Sequence, residues 1–105
     1  MAFEDTKKRS VSFGVATSIP FEIIETLWDL LDNYLKTVVQ LDSILSFHLK
    51  NNHNNIAIEY FNSNQNLSIT FDYNFPFDEF FPSTVYIMDQ AGMETLLLPY
   101  ELEAL

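Results

Sequence analysis

The chain has no cysteine in 105 residues, which excludes a disulfide framework, thiolate metal sites and thiol redox chemistry. A small fold that manages without disulfides suits a reducing compartment, so cytoplasmic residence is the expectation. Glycine is nearly as scarce: Gly14 and Gly92 are the two in the chain, too few for a glycine-rich phosphate cradle. Bases are few as well, five against fifteen acids, for a formal net charge of -10. Lys7, Lys8 and Arg9 sit together near the start, and beyond them only Lys36 and Lys50 remain. Such a surface repels nucleic acid phosphates and anionic lipid and draws in basic protein surfaces by long-range steering. It also favours solubility on its own account. No window approaches the ~18 consecutive apolar residues of a membrane-spanning helix, and MAFEDTKKRS has no apolar segment behind its charges. The expectation is a protein neither exported nor embedded in a membrane.

What is present is apolar and aromatic. Hydrophobic residues make up 48% and aromatics 15%, with ten Phe, five Tyr and one Trp, which is enough apolar surface for one core and argues against disorder. Residues 1–105 read as a single acidic domain whose first nine residues are expected to be flexible.

RSVSFGVAT (9–17) alternates Val11, Phe13 and Val15 with small polar residues and predicts a first strand. Pro20 suits the first turn of a helix, where its missing N–H is not needed. Ile23, Ile24, Leu27, Leu30, Leu31 and Tyr34 then form the apolar stripe of a helix over about 20–36. LSFHLK (45–50), NIAIEYF (55–61) and LSITFDY (67–73) alternate as strands, joined by turns at NNHNN (51–55) and NSNQN (62–66). NFPFDEFFPS (74–83) breaks the alternation. TVYIMD (84–89) and METLLLP (93–99) are further strands around a hairpin turn at DQAG (89–92). The order β-α-β-β-β-β-β predicts an α+β domain: an antiparallel sheet of five to six strands with one main helix on one face.

Catalytic chemistry finds little support. His48 falls on the exposed phase of a strand and His53 inside a turn, and neither has a serine or carboxylate motif around it. Zinc would need Cys or His pairs at ligand spacing, and calcium an oxygen-rich loop where DQAG supplies one carboxylate. Asp78 and Glu79 are adjacent in extended chain and point apart, which does not suit paired acid-base work. The expectation is a protein that is not an enzyme and carries no metal or cofactor.

Two features point to binding. Glu22, Glu25, Asp29 and Asp32 recur at offsets of 3, 4 and 3, so they line one side of the helix over ~15 Å. The helix dipole accounts for Glu22 and Glu25 in the first turns; Asp29 and Asp32 lack that explanation, although Lys36 is placed to pair with Asp32. Four carboxylates over that length approach the spacing of phosphates on one DNA strand, ~3.4 Å. The second feature is FPFDEFFP, where Phe75, Phe77, Phe80 and Phe81 surround Asp78 and Glu79. The phenylalanines either fold back onto the core or stand out as an anchor, since aromatics dominate interface hot spots.

Gly14, Ile19-Pro20, Leu27-Trp28, Phe47-His48-Leu49 and the C-terminal run YIMDQAGMETLLLPYEL (86–102) together resemble a family of small Firmicute proteins, the domain of unknown function numbered nine hundred and sixty. The resemblance implies an α+β fold, a cytoplasmic bacterial protein and frequent carriage on plasmids or other mobile elements; it implies no activity. Residues 50–75 depart most from the family pattern. Small acidic proteins of mobile elements include inhibitors of host defence, anti-CRISPR proteins among them. By that analogy the leading expectation is a nucleic acid mimic that occupies the groove of a basic nucleic-acid-handling protein, such as a CRISPR effector nuclease. Glu22, Glu25, Asp29, Asp32, Asp78 and Glu79 would supply charge, and Phe80 and Phe81 the apolar anchor. The alternatives are a housekeeping or structural module, a homodimer joined through a sheet edge, whose acidity only keeps it soluble, and a small-ligand domain using the aromatic cluster as its pocket.

Overall fold

The computed structural model describes residues 2–38 and 40–104. In chain order the elements are β1 (Lys8–Val11), α1 (Phe13–Ser18), α2 (Phe21–Leu30), a π-helical turn (Leu31–Leu35), α3 (Lys36–Val38), β2 (Ile44–Asn52), β3 (Asn55–Asn62), β4 (Leu67–Pro76), β5 (Thr84–Gln90), β6 (Met93–Leu97) and α4 (Pro99–Glu103). The strands form a six-stranded sheet in the order β1-β6-β5-β2-β3-β4. The fold is α+β, as the alternation and the helical stripe predict.

Short turns set most of the register. His53 and Asn54 both take positive φ, the two-residue hairpin geometry that matches strand twist, and Asn52 consequently faces Asn55. Ala91 and Gly92 repeat the arrangement between β5 and β6, and Asp89 Oδ1 accepts the Gly92 N–H at 2.9 Å. Gly92 has φ of 91°, and a Cβ there would meet the Asp5 carbonyl at 2.6 Å, so glycine is required.

Where no turn dictates pairing, the structure departs from expectation. β1 lies parallel to β6, which makes the sheet mixed and not purely antiparallel. A strand that no hairpin joins to its neighbour is free to run in either direction, and here long-range side-chain contacts place it. The expected strand over 9–17 also stops at Val11. Ser12 is extended and caps α1, its Oγ accepting the Val15 N–H at 3.2 Å, so the chain turns helical. Val15 is buried, but Phe13, read as an inward strand residue, is thrown into solvent with 82% of its surface exposed.

The other end of the chain holds that turn in place. Glu101, in α4, accepts from Ser12 Oγ at 2.5 Å, from the Gly14 N–H at 3.0 Å and from the Leu98 N–H at 2.8 Å. Burial works against its ionisation, yet these donors outweigh it and hold the carboxyl below its ordinary range. A Cβ on Gly14 would sit 2.8 Å from that carboxylate, so glycine lets the two segments meet.

The core lies between the sheet and α2. Ile23, Ile24, Leu27, Leu30 and Leu31 of the helical stripe pack against Leu45, Phe47, Ile58, Tyr60, Val85 and Ile87. After Leu30 the wider π-helical turn carries the buried stripe onto Leu35, while Tyr34 moves to the rim and sets its ring 5.6 Å from that of Phe71. Of the residues expected to be flexible, Phe3 is buried and Lys8 and Arg9 belong to β1; Met1 lies outside the described residues.

Candidate interaction surface

The acidic side chains of α2 do not form one row. Glu22, Glu25 and Asp29 are exposed and, with Thr26 and Tyr73, line an open hollow of about 350 Å³ between α2 and β4. Asp32 faces the other way. Arg9 donates to it through two guanidinium nitrogens at 2.7 and 2.5 Å, and Lys36 Nζ stands 3.2 Å from Oδ1. The Arg9 contact, with help from Lys36 and against partial burial, keeps the Asp32 carboxyl below its ordinary range. Its charge is therefore spent inside the fold, and the outward row shortens to ~10 Å. Asp29 accepts a hydrogen bond from the neutral Asn33 amide, which brings no opposing charge. Beside it Tyr73 is pushed up to about 12, by burial first and then by Asp29 and Tyr34.

Asp78 and Glu79 lie at the same seam. The loop after β4 folds back on itself, with Asp78 Oδ1 accepting the Phe80 N–H at 2.9 Å and the Asp78 carbonyl accepting the Phe81 N–H at 3.0 Å. Asp78, Glu79, Phe75, Phe77, Phe81 and Pro20 line a second open hollow of about 650 Å³. Tyr73 of the first hollow and Phe75 of the second are two residues apart in β4 and both half-buried, so the hollows are neighbours. Five of the six expected partner-binding acids thus line these two neighbouring hollows, and Asp32 does not.

The phenylalanines divide between the two readings left open by the sequence. Phe75, Phe77 and Phe81 are half-buried against the core, Phe77 and Phe81 meeting edge-on at 5.9 Å. Phe80 projects with 84% of its surface exposed.

A polar cluster on the opposite face of the sheet was not anticipated. Glu59 Oε1 accepts from Lys50 Nζ at 2.9 Å and lies 3.0 Å from His48 Nδ1, and Ser68 Oγ donates to Oε2 at 2.5 Å. His48 stacks on Phe61 at 5.6 Å. The signal was in the hairpin: a two-residue turn at His53–Asn54 puts His48 opposite Glu59. Ser68, Lys50 and His48, in that order, lower the Glu59 carboxyl to about 2 from an ordinary 4.5. A depressed carboxyl stabilises the fold above its unfolded value and loses that contribution as pH falls through the folded one. Stability is therefore expected to drop between about pH 4.5 and about 2, and a Glu59→Gln variant to show a shallower drop in urea titrations across that window. Equal slopes for the two proteins would remove the cluster from the account of acid stability.

Among the described residues, no group of three or more His, Cys, Asp or Glu is arranged to hold a metal ion, and no helix is long and apolar enough to cross a membrane.

A search of curated proteins finds no match. Among solved structures, one described as the crystal structure of the protein of unknown function from Enterococcus faecalis superposes with a TM-score of 0.87 at 32% identity, covering 90% of each chain. The family described as Staphylococcal protein of unknown function (DUF960) matches residues 8–101, from the start of β1 into α4. The chain is a member of that family, DUF960.

Proposed function

We propose that this protein is a non-enzymatic binding module of the cytoplasm whose acidic groove takes the place of nucleic acid on a basic protein. In its narrowest form it is a nuclease inhibitor, an anti-CRISPR carried by a mobile element. The observation that carries the reading is the convergence of Glu22, Glu25, Asp29, Asp78 and Glu79 on the α2–β4 seam beside an apolar hollow. Three carboxylates on successive turns of one helix give a repeated negative charge without ion-pairing partners from within the row, and like charges at i,i+4 cost helix stability ~0.2–0.5 kcal/mol. The helix dipole accounts for the acids of the first turns, but fold stability does not call for Asp29. The charge steers a basic partner, and aromatic side chains at the groove end give it an apolar centre to bind.

The partner is to be captured from the native host and identified by mass spectrometry, and its affinity measured for the wild type and for E22Q/E25Q/D29N. Exposed interfacial charges contribute ~0.2–1 kcal/mol each, so the triple variant is expected to bind roughly 3- to 100-fold more weakly and with a flatter salt dependence. Asp32 is left unchanged because Arg9 and Lys36 already occupy it. Unchanged affinity and salt slope would sink the mimicry reading.

A further inference from the structure

The two edges of the sheet are unlike. β1 is four residues long and carries Lys8 and Arg9, the kind of short charged edge that discourages further pairing. β4 runs for ten residues, LSITFDYNFP, without a lysine or arginine and with its proline at the last position, and its ladder with β3 shifts register between Asp72 and Pro76. It pairs with β3 on one side, and no described strand lies on the other. A long edge with free main-chain donors and acceptors is a template for another strand.

The seam above that edge says which strand fits. On the helix-facing side of β4, Tyr73 lies under Glu22, Glu25 and Asp29, and Phe75 opens into the aromatic hollow of Pro20, Phe77 and Phe81, which Asp78 and Glu79 also line. An added strand presents alternate side chains on one face, as β4 presents Tyr73 and Phe75. One such side chain would enter the acidic hollow, and the next the aromatic one. A second copy of this chain is a poor occupant: pairing β4 with β4 would bring two rows of Glu22, Glu25 and Asp29 together at the junction, in a protein of net charge -10.

We propose that the outer edge of β4 receives an extended segment of a partner protein as a seventh strand, with a lysine or arginine over Tyr73 and an apolar side chain two positions away in the Phe75–Phe77 hollow. This rests on the acidic-groove reading for the charge of the partner and adds to it the main-chain pairing. Main-chain bonds hold the segment, and the hollows select its side chains.

The test uses the full chain and synthetic eight-residue peptides, acetylated and amidated, in which lysine and leucine alternate at every second position with threonine between them, so that both fall on one face. Two further peptides carry N-methyl groups on one or the other alternate set of amides, and a fourth replaces lysine by glutamate. Saturating lysine peptide is expected to slow amide exchange along β4 at least tenfold. One N-methylated peptide should bind at least tenfold more weakly than the other, and the glutamate peptide should not bind. If both methylated peptides bind like the parent while E22Q/E25Q/D29N weakens all three, the acidic groove stands and the edge pairing is overturned. If no lysine peptide binds, or if the free protein sediments as a dimer with β4 already protected, the proposal is likewise overturned. Binding that depends on methylation but ignores the three acids would overturn the choice of a basic occupant.

Discussion

Replacing Arg9 by leucine is expected to remove about 3–5 kcal/mol of folding stability, the loss typical of stripping the partner from a buried charge. Glu94 is 1% exposed, and its carboxylate is satisfied by Arg9 Nε at 2.9 Å and Thr6 Oγ1 at 2.6 Å. Arg9 also forks onto Asp32 and lies 4.7 Å over the ring of Trp28, so one guanidinium joins β1, β6 and the helical layer. Without it Glu94 keeps a single hydroxyl donor in a dry site, and Asp32 keeps Lys36 alone. Lysine should not rescue, because a point charge cannot fork to two carboxylates and stack on an indole at once. The double variant R9L/E94L should recover much of the loss, since an apolar pair of similar size often replaces a buried ion pair without penalty. Urea denaturation with an unchanged m-value reads each of these. A loss below about 1 kcal/mol for R9L would mean that Glu94 finds another partner or takes up a proton.

The second large effect separates binding from folding at adjacent residues. Phe80→Ala is expected to leave stability within about 0.5 kcal/mol of wild type, as for exposed positions generally, while weakening the captured partner by about 2 kcal/mol or more, roughly thirtyfold. Phe81→Ala should do the reverse in part, because its ring packs against Phe77 and the core, and a half-buried phenylalanine contributes about 1–2 kcal/mol, less than the ~3–5 of a fully buried one. Melting curves and affinities for the two variants decide the matter. Wild-type affinity in Phe80→Ala would remove the aromatic anchor from the proposed interface.

Local chemistry made much of this legible in the sequence. The alternation of Leu45, Phe47 and Leu49, the asparagine turns and DQAG locate β2 to β6 to within a few residues, and the two-residue hairpins at His53–Asn54 and Ala91–Gly92 fix register by themselves. The stripe from Ile23 to Leu31 locates α2. Residues 12–17 misled for an equally local reason. Ser12 and Gly14 fit the polar phase of a strand, and their true role, as cap and as contact for Glu101, depends on a side chain 87 to 89 residues away. α4 is not legible in the sequence, because Pro99 reads as the end of a strand before it reads as the start of a helix. The acids of α2 and the FPFDEFFP segment were each visible, but their common groove follows from how α2 lies over β4. Asp32 left the row for the same kind of reason, since only the docking of β1 brings Arg9 to it.

The parallel pairing of β1 with β6 has a consequence for the order of assembly. Its side-chain contacts, with those of Phe3 and Glu101, span 85 to 89 residues, whereas β2 to β4 and β5 to β6 close over short loops. Short loops form first and long ones await them, so the arrival of the N-terminal segment is the step that completes the sheet. Until then β6 is itself an unpaired edge, and Glu94 has neither Arg9 nor Thr6 beside it. The nascent domain therefore ends in β6 on one side and β4 on the other; in the finished one the short, charged β1 covers β6, which leaves β4 as the side on which growth of the sheet is not discouraged.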